Sequence, residues 1–180
     1  MNTDTYEGKA TITDVYTKAL EPWQANPKSG PGLTEKEAAS AFNVCFKVKD
    51  PNGNEYTLDP LEVSVRELTG KLLEAYASRV SGRLPTQTDV TVSTLHRLKL
   101  IDEKAVDHII DVFNTIGREV EIKRYVTKSQ SGDKEYVHTN FSFGPKKLSQ
   151  SELMAKIARL QGKPVPAEQP ADDAQEEAPF

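Results

Sequence analysis

Between Ala41 and Lys49 apolar and polar side chains alternate without a break: Phe42, Val44, Phe46 and Val48 against Asn43, Cys45, Lys47 and Lys49. A period of two over this length predicts a strand with one face in a core. The same alternation opens the chain from Tyr6, where Ala10 and Ile12 interleave with Lys9, Thr11 and Thr13. It returns in Arg118–Thr127 and again in Glu135–Phe143, with the glycine-containing KSQSGDK between them, which predicts a hairpin. Asp50–Glu55 reads DPNGNE, a turn signal that starts a further strand at Glu55–Leu58. Glu21–Gly32, with three prolines and two glycines around Trp23, is expected to be a loop.

From Val65 the period lengthens. Leu68, Leu72, Leu73 and Tyr76 fall on one helical face, as do Val92, Leu95 and Leu98, and then Val106, Ile109, Ile110 and Phe113. Gly117 stands where a helix C-terminal glycine belongs. Ser149-Gln150-Ser151-Glu152 is a capping-box pattern that starts a last helix running to about Leu160. These elements predict a mainly β protein: a five-stranded OB-type barrel with a helical insert at about residues 65–116 and a C-terminal helix. The expected organisation is one domain over 1–162 followed by a disordered acidic tail over 163–180.

Composition narrows the function classes. Hydrophobic residues make up 37% of the 180, which suits a modest core. No run approaches the roughly 20 apolar residues of a membrane span, and the first residues lack the basic and apolar regions of a secretory signal. With Cys45 as the single cysteine, no internal disulfide is possible, and a cytoplasmic location is expected. Formal net charge is −4, unevenly spread. Residues 117–162 carry nine Lys/Arg against five Asp/Glu, while 163–180 carry Lys163 against five acids. The body is therefore no polycation, but its last third suits a phosphate-tracking surface.

Catalytic signals are sparse. His96, His108 and His138 lack the spacing of a zinc site, Cys45 has no base beside it in sequence, and no phosphate loop or nucleophile elbow occurs. No enzyme activity, cofactor or metal is expected. Single-stranded nucleic acid calls for cations along the backbone and flat rings on which bases stack. The 118–143 hairpin offers both: Lys123 and Tyr125 share one face of its first strand, and Tyr136, His138 and Asn140 one face of its second. Arg124, Lys128 and Lys134 are expected at the margin of that face. Trp23 has no evident core to fill and is a further stacking candidate; Arg79 and Arg83, flanking Ser81-Gly82, are candidate phosphate contacts.

The final PAEQPADDAQEEAPF cannot build a core. With Asp172, Asp173, Glu176 and Glu177 ahead of Pro179-Phe180, it resembles the acidic C-terminal tail of bacterial and phage single-stranded-DNA-binding proteins. The segments YEGKATITDVYTKAL, SGRLPTQTDVTVSTLHRL and GREVEIKRYVTKSQSGDKEYVHTNFSF resemble, in order, phage-encoded members of that family with an OB fold. The resemblance implies coating of single-stranded DNA in replication or recombination, with Asp172, Asp173, Glu176, Glu177, Pro179 and Phe180 recruiting partner proteins. Ala178 departs from the bulkier residue usual before the terminal Pro-Phe, and the acidic run is sparse, so a weaker tail contact is expected. Homo-oligomerisation is compatible with this. The competing expectation is a replisome or host-protein adapter with no DNA affinity of its own.

Overall fold

A computed structural model describes residues 5–28, 30–143 and 150–162, the side chains of 150–152 and 156 excepted. It divides into two compact units, 1–143 and 144–180. The first is a mixed α/β structure built on a six-stranded antiparallel sheet whose strands lie in the order Glu55–Thr57, Phe42–Lys49, Tyr6–Ala19, Glu119–Lys128, Glu135–Phe141, with Leu61–Val63 also paired to Phe42–Lys49.

β1 (Tyr6–Ala19) is the hinge of the sheet. Its first half pairs with β5 (Glu119–Lys128) from Tyr6↔Arg124 to Thr11↔Glu119. Its second half pairs with β2 (Phe42–Lys49) as far as Ala19↔Phe42. A register shift between Ile12 and Asp14 marks the changeover; an extra residue there sharpens the local twist. Gly117 takes φ +89° and donates its N–H to Ile12 O at 2.8 Å, so the chain enters β5 already hydrogen-bonded to β1.

The turn after β2 is held by Asp50, whose Oδ1 accepts from the Asn54 N–H at 2.8 Å, with Gly53 at φ +90°. The return strand is broken: β3 (Glu55–Thr57) and β4 (Leu61–Val63) pair with opposite ends of the same β2 edge. This break accounts for a sixth strand. β6 (Glu135–Phe141) pairs with β5 from Ile122↔Phe141 to Lys128↔Glu135.

The expected five-stranded barrel is therefore corrected: the sheet has six strands and does not close. Among the described residues no ladder joins β6 to β3 or β4. Asp59, in the break between them, reaches across: its N–H donates to Thr139 O at 2.8 Å. One residue cannot extend a ladder, because Pro60 follows with no N–H to give.

The core lies on one face of the curled sheet, where Ala10, Ile12, Val15, Val44, Phe46, Val48, Val120 and Ile122 meet Leu58 and Val63. α4 (Gln87–Arg97) covers them with Val92 and Leu95. It is anchored to β4 and the residue after it by two hydroxyls, Thr91 Oγ1 donating to Glu62 O (2.6 Å) and Thr88 Oγ1 to Ser64 O (2.8 Å). A 3-10 helix, Val106–Thr115, adds Ile109 and Val112. α2 (Glu35–Ser40) and α3 (Gly70–Ala77) complete this unit; Thr34 and Glu37 form a reciprocal cap at the start of α2. In the second unit, α5 spans Gln150–Leu160. Ser149 of the expected capping box and the whole 163–180 segment lie outside the described residues.

The Glu21–Gly32 stretch is not all loop. Pro22–Ala25 forms a one-turn helix, α1. Proline is tolerated at its first position, where no intrahelical N–H is required, and Glu21 and Gln24 cap each other. α1 turns Gln24 onto the outer face of β2, where Gln24 Nε2 donates to Asn43 Oδ1 (3.0 Å) and Asn43 Nδ2 to Gln24 Oε1 (2.9 Å). Alternation predicts a solvent-facing Asn43; the amide pair buries it.

Candidate nucleic-acid interface

The register of β5 and β6 sets the candidate site. Lys123 lies opposite Asn140, Tyr125 opposite His138 and Thr127 opposite Tyr136. Since Val120 and Ile122 on the other face are buried, all six project from the outer face. The Tyr125 and His138 rings stack with centroids 5.3 Å apart at 26°, and Tyr136, half-exposed at 50%, follows two residues along. The outer face expected of the hairpin is thus assembled, with Lys123, Tyr125 and Tyr136 together.

Hydrogen bonds hold His138 and Asn140 in place. His138 Nδ1 donates to Asp59 Oδ2 at 2.8 Å, and its Nε2 lies 2.9 Å from Thr127 Oγ1. The Asn140 amide sits between Tyr125 and Asp59. With its nitrogen donating to Asp59 Oδ2 (3.2 Å) and its oxygen accepting from Tyr125 Oη (3.0 Å), every group is satisfied. The platform is therefore set by bonds reaching the opposite edge of the sheet.

Parity extends this face across the sheet. β1 contributes Glu7, Lys9, Asp14, Tyr16 and Lys18, and β2 contributes Lys47 and Lys49, all paired in register. Tyr16 carries Lys47 over its ring at 5.5 Å. Alternation puts Lys47 and Lys49 on a polar face but does not join them to the hairpin, because strand order is not written locally. Trp23, on α1 above β2, is 67% exposed while its neighbour Gln24 is buried.

Not every expected residue belongs to this surface. Lys128, at the strand end, shares parity with Val120 and Ile122 and leaves from the opposite face, as does Arg124. There the Arg124 guanidinium lies 5.4 Å over the Tyr56 ring, itself stacked on Tyr6 at 5.7 Å. The Arg83 fork binds both Asp89 oxygens at 2.7 Å, and Asp89 caps α4 through the Thr86 N–H. Arg79 packs over Tyr76 at 4.8 Å. Lys134 lies in the hairpin turn, exposed. Asp172, Asp173, Glu176, Glu177, Pro179 and Phe180 lie outside the described residues.

Carboxylates accompany the cations. Lys9 reaches Glu119 (2.6 Å), Lys123 reaches Glu7 (3.8 Å), Lys47 reaches Asp14 (3.7 Å) and Lys128 reaches Glu135 (3.6 Å). All are exposed pairs, weakened by solvent screening, and a phosphate can displace such a partner. Cys45 is buried opposite Tyr16; burial pushes its thiol up, against the lowering effect of Lys18 and of a hydrogen bond to Tyr16. Among the described residues no cluster of three His, Cys, Asp or Glu side chains is arranged to hold a metal, and no helix is long and apolar enough to cross a membrane. No protein-family model, no curated protein and no solved structure matches the chain.

Proposed function

We propose that this chain is a non-catalytic, sequence-tolerant single-stranded-DNA-binding protein acting in DNA replication or recombination. The observation that carries the proposal is the β5–β6 register, with Lys123, Tyr125, His138 and Tyr136 on one outward face. Stacking on Tyr125, Tyr136 and Trp23 would supply ~1–3 kcal/mol per base. Lys123 and Lys134, joined by Lys47 and Lys49, would follow the phosphates, with Lys128 at the margin of the face. The strand order, with β1 shared between β2 and β5 and a helical segment between β4 and β5, supports an OB-type sheet left open between β6 and β3. The acidic 163–180 segment would contact replication or recombination proteins and compete with DNA for the cations.

Anisotropy of labelled oligo-dT, titrated at several salt concentrations against a duplex of equal length, tests this. Tight binding to the single strand, improved by deletion of 164–180, is expected. If the full chain and the truncated chain both leave oligo-dT unbound in dilute buffer, the proposal is wrong. The adapter alternative is favoured by one observation, the pairing of outer-face lysines with carboxylates, and it would be left standing by that result.

A further inference from the structure

The 3-10 helix carries an apolar ridge that its own fold does not use. With three residues per turn, side chains three apart eclipse one another and form straight rows. One row, Ile109–Val112–Thr115, is buried against the sheet. The second is Ile110–Phe113, continued by Ile116 just past the helix end, exposed at 68%, 40% and 55%. The third is polar, His108–Asp111–Asn114, with His108 Nδ1 bonded to Asp111 at 2.9 Å. Val106, at the head of the buried row, is exposed as well. Residues 102–111 around the ridge carry Asp102, Glu103, Asp107 and Asp111 against Lys104. An exposed apolar row with an anionic border is unusual on a surface that needs no partner.

α5 has the opposite character. Leu153, Met154, Ile157 and Leu160 form one stripe and are all exposed. The sequence from 146 to 163 carries Lys146, Lys147, Lys156, Arg159 and Lys163 against Glu152 alone. A helix of 11 residues is marginal in water without a surface for its apolar face.

We infer that the Ile110–Phe113–Ile116 ridge is a self-association surface that receives the α5 stripe of a second copy. Charge selects this pairing. Two ridges face to face would set Asp102, Glu103, Asp107 and Asp111 against their own copies, and two α5 helices would oppose lysine with lysine; ridge against α5 matches sign with sign. The contact is heterologous, joining two different patches, so copies pair reciprocally or add head to tail. It is small beside a standard interface, so association is weak. None of this depends on DNA binding.

Sedimentation velocity of the full chain, up to about 500 µM, tests the inference. Concentration-dependent association that weakens with added salt is expected. Ile110→Asp and Ile157→Asp, both at exposed positions, should each sediment as monomers while keeping the wild-type circular dichroism and melting temperature. An equimolar mixture should associate again, because one variant keeps α5 and the other keeps the ridge. A monomeric wild type over the whole range, variants that associate like wild type, or a mixture that stays monomeric would each overturn the inference.

Discussion

His138 and Asp59 are 79 positions apart in sequence, yet His138 Nδ1 and Asp59 Oδ2 lie 2.8 Å apart and tie the free edge of β6 to the break between β3 and β4. Asp59 also donates its N–H to Thr139 O and lies 3.4 Å from the Thr139 N–H through Oδ1. A single residue thus occupies the edge that an additional strand would otherwise extend. Its carboxylate simultaneously orients the ring under Tyr125.

Replacing Asp59 should therefore act on both stability and the site. Asp59→Ala leaves the His138 Nδ1–H and the Asn140 amide without their acceptor, at a cost of about 1–3 kcal/mol. Urea denaturation should show this loss. Amide exchange at Thr139 should accelerate while exchange at Val44, in the middle of β2, follows only the global change.

The outer-face rings and the carboxylates beside the lysines should move affinity in opposite directions. Tyr125→Ala and Tyr136→Ala should each weaken oligo-dT by roughly 5- to 150-fold, the range of one lost stacking contact. Glu7→Gln should tighten it by releasing Lys123 from its partner. Lys123→Ala should lower the slope of log affinity against log salt by about 0.7, the share of one phosphate on a single strand. Unchanged binding in both tyrosine variants would place the interface elsewhere.

Trp23 is the chain's one tryptophan and is largely exposed, which makes it an optical reporter of its own role. Its emission should be that of a solvated indole and should quench on adding oligo-dT. Quenching absent at saturation would remove Trp23 from the interface. Gln24→Leu, which strands the buried Asn43 amide, should cost about 1–3 kcal/mol in a thermal or urea melt.

Acid should expose the role of the α4 cap. The Arg83 fork, bonded to Asp89, holds that carboxyl below the usual range despite partial burial, with help from the Thr86 N–H and hydroxyl. A carboxyl whose folded value is depressed stabilises fully above its unfolded value near about 4, and the contribution disappears as pH falls through the lower folded value. Asp89→Ala should cost about 1–2 kcal/mol at neutral pH, as lost helix caps do. The gap between variant and wild-type melts should close on acidification below about pH 4. A gap that persists unchanged there would contradict the assignment.

Much of this architecture is legible in short windows of sequence. The alternation in Phe42–Lys49 and in the 118–143 segment identifies strands, and parity alone puts Lys123 with Tyr125 and Tyr136 with His138. Turn chemistry at Asp50–Gly53 and a glycine at 117 mark where the chain reverses. These features depend on neighbours a few positions away, so a local pattern suffices to reveal them.

Long-range pairing is another matter. That β1 lies between β2 and β5, which brings Lys47 onto the same surface as Tyr125, follows from ladders formed by residues far apart in the chain. The same holds for Asn43, buried by a Gln24 that no local pattern connects to it, and for Asp59, whose partner is on the last strand. The segment 106–116 shows the limit most clearly. Ile109, Ile110 and Phe113 are spaced three and four apart, which fits one face of an α-helix as well as two rows of a 3-10 helix. Only packing against the sheet chooses the tighter turn, and with it sends Ile109 inward and leaves Ile110 and Phe113 facing water.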